Sequence, residues 1–101
     1  MSLRVRFTPA ARQQLLGAVS YIRQDNPAAA QRFRDAVAHA LGRVSEYPES
    51  GRLLPEFPDL PHRDVIVGPY RFFYRVKGRT IWIVGAWHNR QAVVQPYEED
   101  R

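Results

Sequence analysis

Arginines alternate with aromatic side chains through residues 64–90, and that alternation is where chemistry could reside. The stretch reads DVIVGPYRFFYRVKGRTIWIVGAWHNR. A strand period of two puts Tyr70, Phe72, Tyr74 and Val76 on one face and Arg71, Phe73 and Arg75 on the other. A guanidinium is always charged and offers paired N–H donors, so a row of them beside aromatic surface suits phosphate or carboxylate. His88 is the side chain here that titrates near neutrality. Such a surface should attract an anionic partner, either nucleic acid or an acidic protein segment. His39, His62 and His88 share no ligand spacing, so neither a metal site nor a cofactor is expected. There is no glycine-rich phosphate loop and no Ser/His/Asp set.

The elements that must position these residues can be read along the chain. Leu3, Val5 and Phe7 alternate with Arg4 and Arg6, which predicts a short first strand. Thr8-Pro9 pairs a good N-cap with the residue favoured at the first helical position, so a helix starts there. Its apolar stripe is Ala11, Leu15, Ala18, Val19 and Ile22, and it ends near Gln24. Asn26-Pro27 opens a second helix with Ala30, Phe33, Val37, Ala40, Leu41 and Val44 on one face. So short a link forces an antiparallel helical hairpin. Residues 48–61 hold Pro48, Pro55, Pro58, Pro61 and Gly51, predicting a proline-rich surface loop tacked down by Leu53, Leu54 and Phe57. Three strands follow: Val65–Val67, ended by Gly68-Pro69; Tyr70–Val76; and, after Lys77-Gly78-Arg79, Thr80–His88. Residues 92–101 read as an irregular tail.

The order strand, helix, helix, strand, strand, strand predicts a single α+β domain over residues 1–101. The helical hairpin covers one face of a small, mostly antiparallel sheet. One helix layer leaves the other face, with Arg71, Phe73 and Arg75, open. Trp82 and Trp87 have opposite parity on their strand, so they are expected on opposite faces, with at most one of them fully in the core.

The chain has 101 residues, 45% of them hydrophobic, no cysteine and a net charge of +5. Disulfide and thiol chemistry are excluded. No apolar run approaches a bilayer span, and the N-terminus lacks the apolar core of a signal peptide, so no membrane association and a cytoplasmic location are expected. Of fifteen basic residues only Lys77 is a lysine, and the run Glu98-Glu99-Asp100 hides part of the bias. Residues 1–97 carry fourteen basic and seven acidic side chains, or +7, which favours an anionic partner.

Five pieces in this order resemble the RelE/ParE superfamily of bacterial toxins from type II toxin–antitoxin modules. They are the F-T-P and D-N-P helix starts, the Y-P-x-x-G-R segment beginning at Tyr47, the Y-R-x-x-Y-R-V strand and the terminal H-x-R, together spanning residues 3–91. The resemblance implies the βααβββ fold and a growth-arresting toxin. It also implies a hetero-oligomer with a cognate antitoxin that is small, acidic and partly disordered. ParE-like members inhibit DNA gyrase; RelE-like members cut mRNA on the ribosome. In the nuclease case the resemblance makes Arg71 the phosphate-facing arginine and Arg90 a second basic group, with Tyr97 standing for a C-terminal tyrosine; His88, as the imidazole of this region, would move protons. As a target or nucleic-acid surface the set is Arg63, Arg71, Phe73, Arg75 and Arg90. The nuclease branch places lysines before Y-R-x-x-Y, where this chain has His62, Arg63 and Asp64. Asp64 would repel a phosphate. That departure puts ParE-like gyrase inhibition first and RelE-like mRNA cleavage as the alternative.

Overall fold

A computed structural model describes residues 2–90; the tail expected over 92–101, with Tyr97 and the acidic run, lies outside the described residues. The elements are β1 (Arg4–Phe7), α1 (Pro9–Asp25), α2 (Pro27–Glu46), β2 (Arg52–Leu53), β3 (Arg63–Val67), β4 (Tyr70–Lys77) and β5 (Thr80–His88). The strands form one sheet in the order β1-β5-β4-β3-β2. β1 runs parallel to β5, and every other pair is antiparallel. The α+β class and the helical hairpin on a mostly antiparallel sheet are as the residue pattern predicts.

Local signals account for the helices. Thr8 Oγ1 accepts the Ala11 N–H at 3.2 Å, and Asn26 Oδ1 accepts the Ala29 N–H at 3.0 Å, each satisfying a donor that the first helical turn leaves orphaned. Asn26 also donates its own N–H to the Ile22 carbonyl, so one residue ends α1 and caps α2. The hairpin buries Ala11, Ala18, Val19, Phe33, Val37, Leu41 and Val44 against Phe72, Tyr74, Ile81 and Ile83 of the sheet. Tyr74 is nearly inaccessible, so its hydroxyl must find partners. It donates to the Pro48 carbonyl at 2.7 Å and accepts the Gly51 N–H at 3.0 Å, and burial pushes its pKa up.

Three expectations are corrected. The second sheet face is not open. Residues 54–62 fold over it, and Leu54, Phe73 and Val84 make a second core with Phe57, Trp82 and Trp87 packed around it. Leu54 and Phe57 do more than tack a loop to the surface, because a loop with two apolar anchors and prolines that limit its freedom can lie across a sheet. Leu53, in contrast, is exposed.

The second correction concerns parity. The β4–β5 register jumps from Phe73↔Gly85 to Tyr74↔Ile83, a β-bulge that leaves Val84 without a partner. The extra residue turns the strand over, so Trp82 and Trp87 both pack on the second face, each half-buried. Gly85 suits this spot: a Cβ there would lie 3.1 Å from Trp87 Nε1 and 3.2 Å from Phe73 Cδ2. The third is a strand the proline density concealed. β2 is two residues long and pairs Arg52 with Asp64 and Leu53 with Arg63.

Candidate functional site

β4 delivers Arg71 to the second face opposite Trp87, and β3 delivers Asp64 opposite Phe73 on the same face. The Arg71 side chain is 8% exposed, and its guanidinium is held along two edges. Its Nε and Nη2 donate to Asp64 Oδ2 at 2.9 and 2.7 Å. Its Nη1 and Nη2 donate to Glu56 Oε2 and Oε1 at 2.8 and 3.0 Å. Arg52 closes the cluster from β2, donating to Asp64 Oδ1 from Nε at 2.8 Å and to Oδ2 from Nη2 at 3.2 Å. Below the guanidinium lies the Phe73 ring, 4.9 Å from Cζ to its centroid, and Trp87 meets Phe73 edge-on. Hydrogen bonds from Arg71 hold the Glu56 carboxyl down at about 2, and the same bonds raise the Arg71 pKa further.

The arrangement is a clamp. Asp64 is fully buried and would be costly without partners; two arginines supply them. Glu56 is the anchor through which the proline-rich loop is tied to the sheet. A phosphate seeking the Arg71 fork would meet the Glu56 carboxylate already there.

The other expected residues are dispersed. Phe73 is 2% exposed and belongs to the second core, so it is no contact surface. Arg63 donates from Nη1 to the Gly51 and Glu49 carbonyls at 2.8 and 3.3 Å, fixing the segment before β2. Arg75 is half-buried opposite Trp82 on the second face. His88 pairs with Tyr70, edge-on at 5.2 Å between centroids, and Tyr70 packs on Phe33 of α2. His88 therefore sits on the helix-side face, and Arg71 on the opposite one. Arg90 is exposed just past β5, its backbone N–H donating to His88 Nδ1 at 3.1 Å. The Arg90 backbone meets His88, and Arg71 lies across the sheet from the His88 side chain. Sequence reasoning missed Glu56 and Arg52 as members of the cluster. The one available signal was Asp64, an acid on a strand beside an arginine-bearing one, and it faces Arg71 as a partner. Among the described residues no group of three His, Asp or Glu side chains is placed to hold a metal ion, and no helix is long and apolar enough to cross a membrane.

A helical hairpin on a mixed five-stranded sheet in this strand order is the α+β architecture of ParE/RelE structural neighbours. The chain matches the family model described as the ParE toxin of the type II toxin–antitoxin system parDE over residues 5–93, and it belongs to that family. The structure is similar to a solved chromosomal ParDE toxin–antitoxin system from P. aeruginosa, with a TM-score of 0.71 at 16% identity, covering 86% of this chain and 96% of that one. It is also similar to the RelBE2 toxin–antitoxin complex from Mycobacterium tuberculosis, with a TM-score of 0.60 at 25% identity, covering 87% of this chain and 99% of that one. No curated protein sequence matches the chain.

Proposed function

We propose that this toxin arrests growth by binding and inhibiting DNA gyrase in the cytoplasm, with no bond-making or bond-breaking step of its own. The observation that carries this reading is the double engagement of Arg71 by Glu56 and Asp64. Phosphodiester cleavage needs an unclaimed cation at the phosphate and a proton-moving group within reach of the same atoms. Arg71 is claimed, and His88 is on the other face of the sheet. Membership of the ParE toxin family supports the same choice. On this reading Arg71, Phe73 and Arg63 hold the fold, while Arg75 and Arg90 lend positive charge to the target-binding surface.

A cognate antitoxin silences the toxin as a hetero-oligomer; one of the similar structures is of a toxin–antitoxin complex and the other of a toxin–antitoxin system. A chain this basic suits an acidic partner whose binding segment orders on contact. The test is a supercoiling assay with purified toxin and gyrase. Inhibition that the antitoxin reverses is the expected result. Unimpaired gyrase, together with transcripts cut in a translating extract, would instead establish the RelE-like mRNA-cleaving alternative.

A further inference from the structure

We propose that the trough between α1 and α2 binds an anionic amphiphile, the carboxylate of a medium-chain fatty acid. The trough lies in the helix layer, on the far side of the sheet from the Arg71 cluster, and has a volume of about 370 Å³. Its walls are Leu15, Leu16 and Val19 of α1 and Val37 and Leu41 of α2, with Phe7 beside the start of α1. Arg23 and Arg34 line it towards the hairpin turn.

Helical spacing explains the shape. Residues 15, 16, 19 and 23 form one stripe of α1, and 34, 37, 38 and 41 form one stripe of α2. Ala38 is exposed and too short to reach across, and Leu16 is 57% exposed, so apolar surface is left unfilled between the helices. Side chains lean towards the N-terminus of their own helix, and the two helices are antiparallel. Arg23 therefore leans away from the hairpin turn and Arg34 leans towards it, which converges both guanidinium groups on one end of the trough. Among the described residues neither is engaged by an acid. The result is an apolar floor with two cations at one end, and Leu15 to Arg23 spans about 12 Å of helix axis.

Charge selects an anionic head, and width selects a narrow tail. Packed helices lie about 8–10 Å apart, whereas a helix with its side chains is about 10–12 Å across. A partner helix laid along the trough would rest on its rims, which helical phase gives to Gln13 and Ser20 of α1 and to Gln31 and Asp35 of α2. Asp35, hydrogen-bonded to Gln31 at 3.0 Å, would oppose the carboxylates of an acidic helix. A second copy laid groove to groove would set Arg23 and Arg34 against their own counterparts. An alkyl chain is slender enough to stay on the floor while its carboxylate meets the arginines. The inference is independent of gyrase as the target.

The experiment is calorimetric titration of the full chain with hexanoate, octanoate, decanoate and dodecanoate, each below its micelle-forming concentration, with amide chemical shifts to locate the site. Saturable binding is expected, strengthening by up to about fourfold for each added CH₂ and levelling off once the trough is full. Arg23→Ala and Arg34→Ala should each weaken decanoate roughly threefold, and Leu16→Ser about fivefold. Arg32→Ala, on another face of α2, should change nothing. All four side chains are exposed, and circular dichroism verifies that each variant is folded. Equal affinity for decyltrimethylammonium, or no effect of the Arg23→Ala/Arg34→Ala pair beyond that of Arg32→Ala, would overturn the proposal. So would failure of decanoate to bind while an acidic helical peptide, anionic vesicles or a second copy of the chain occupies the trough. Gyrase inhibition would survive any of these, so the two readings fail separately.

Discussion

The Glu56 carboxylate accepts two hydrogen bonds from the Arg71 guanidinium, at 2.8 and 3.0 Å, across fifteen residues of chain. This pair ties a loop that has no regular secondary structure of its own to the middle of the sheet. It also occupies the guanidinium edge that a phosphate would need to reach.

Glu56→Ala should loosen the loop without unfolding the chain. Glu56 is partly exposed, with a side-chain exposure of 36%, so solvent screens the pair. The expected loss is about 1 kcal/mol, a drop of several degrees in Tm by calorimetry. Hydrogen exchange should speed up over residues 54–62 and stay unchanged in α1 and α2.

Asp64→Ala should cost far more. Its carboxylate is buried and bonded to two arginines, and its loss leaves Arg71 buried with half its partners. Breaking a buried pair from one side costs on the order of 3–5 kcal/mol. Chemical denaturation should rank Asp64→Ala well below Glu56→Ala, and comparable losses would mean Asp64 is better hydrated than its burial implies.

The same pair gives a pH dependence with a defined direction. The Glu56 carboxyl sits at about 2 in the folded chain against 4.5 as its ordinary value. Above pH 4.5 it is ionised in both folded and unfolded chains, and its whole stabilisation is present. As pH falls from 4.5 towards 2 the unfolded chain takes up a proton first, and that stabilisation is lost. The stability difference between wild type and Glu56→Gln should shrink across this window and be constant above it.

How far these features could be read from the chain follows from the range of the interactions. Thr8-Pro9 and Asn26-Pro27 act on the next three residues, so both helix starts were legible. The alternation of Tyr70, Phe72 and Tyr74 is likewise local, and the three residues do face the helices. The bulge at Val84 broke the same rule on β5, because one unpaired residue inverts every parity beyond it. The cover over the second face was illegible for another reason: prolines erase periodicity, and nothing in Leu54 or Phe57 says which surface they will meet. Arg71 lay on the face that parity assigned, but its burial depends on Asp64 and Glu56, seven and fifteen residues away.

Gly51→Ala probes a close approach that no turn signal announces. A Cβ there would lie 2.7 Å from the Asp64 carbonyl oxygen and would collide with the Tyr74 hydroxyl, both rigidly held. The hydrogen bonds from Gly51 to Tyr74 and from Tyr74 to Pro48 would be strained together. The expected loss is about 2–3 kcal/mol by denaturation, larger than for Glu56→Ala. Tyr74→Phe should relieve part of it in the double variant.

Transcript mapping in a translating extract bears most directly on Arg71. If its charge is consumed by Glu56 and Asp64, wild-type toxin should produce no new transcript ends at concentrations that arrest growth. Cleavage that appears with wild-type toxin and vanishes in a folded Arg71→Ala variant would contradict it.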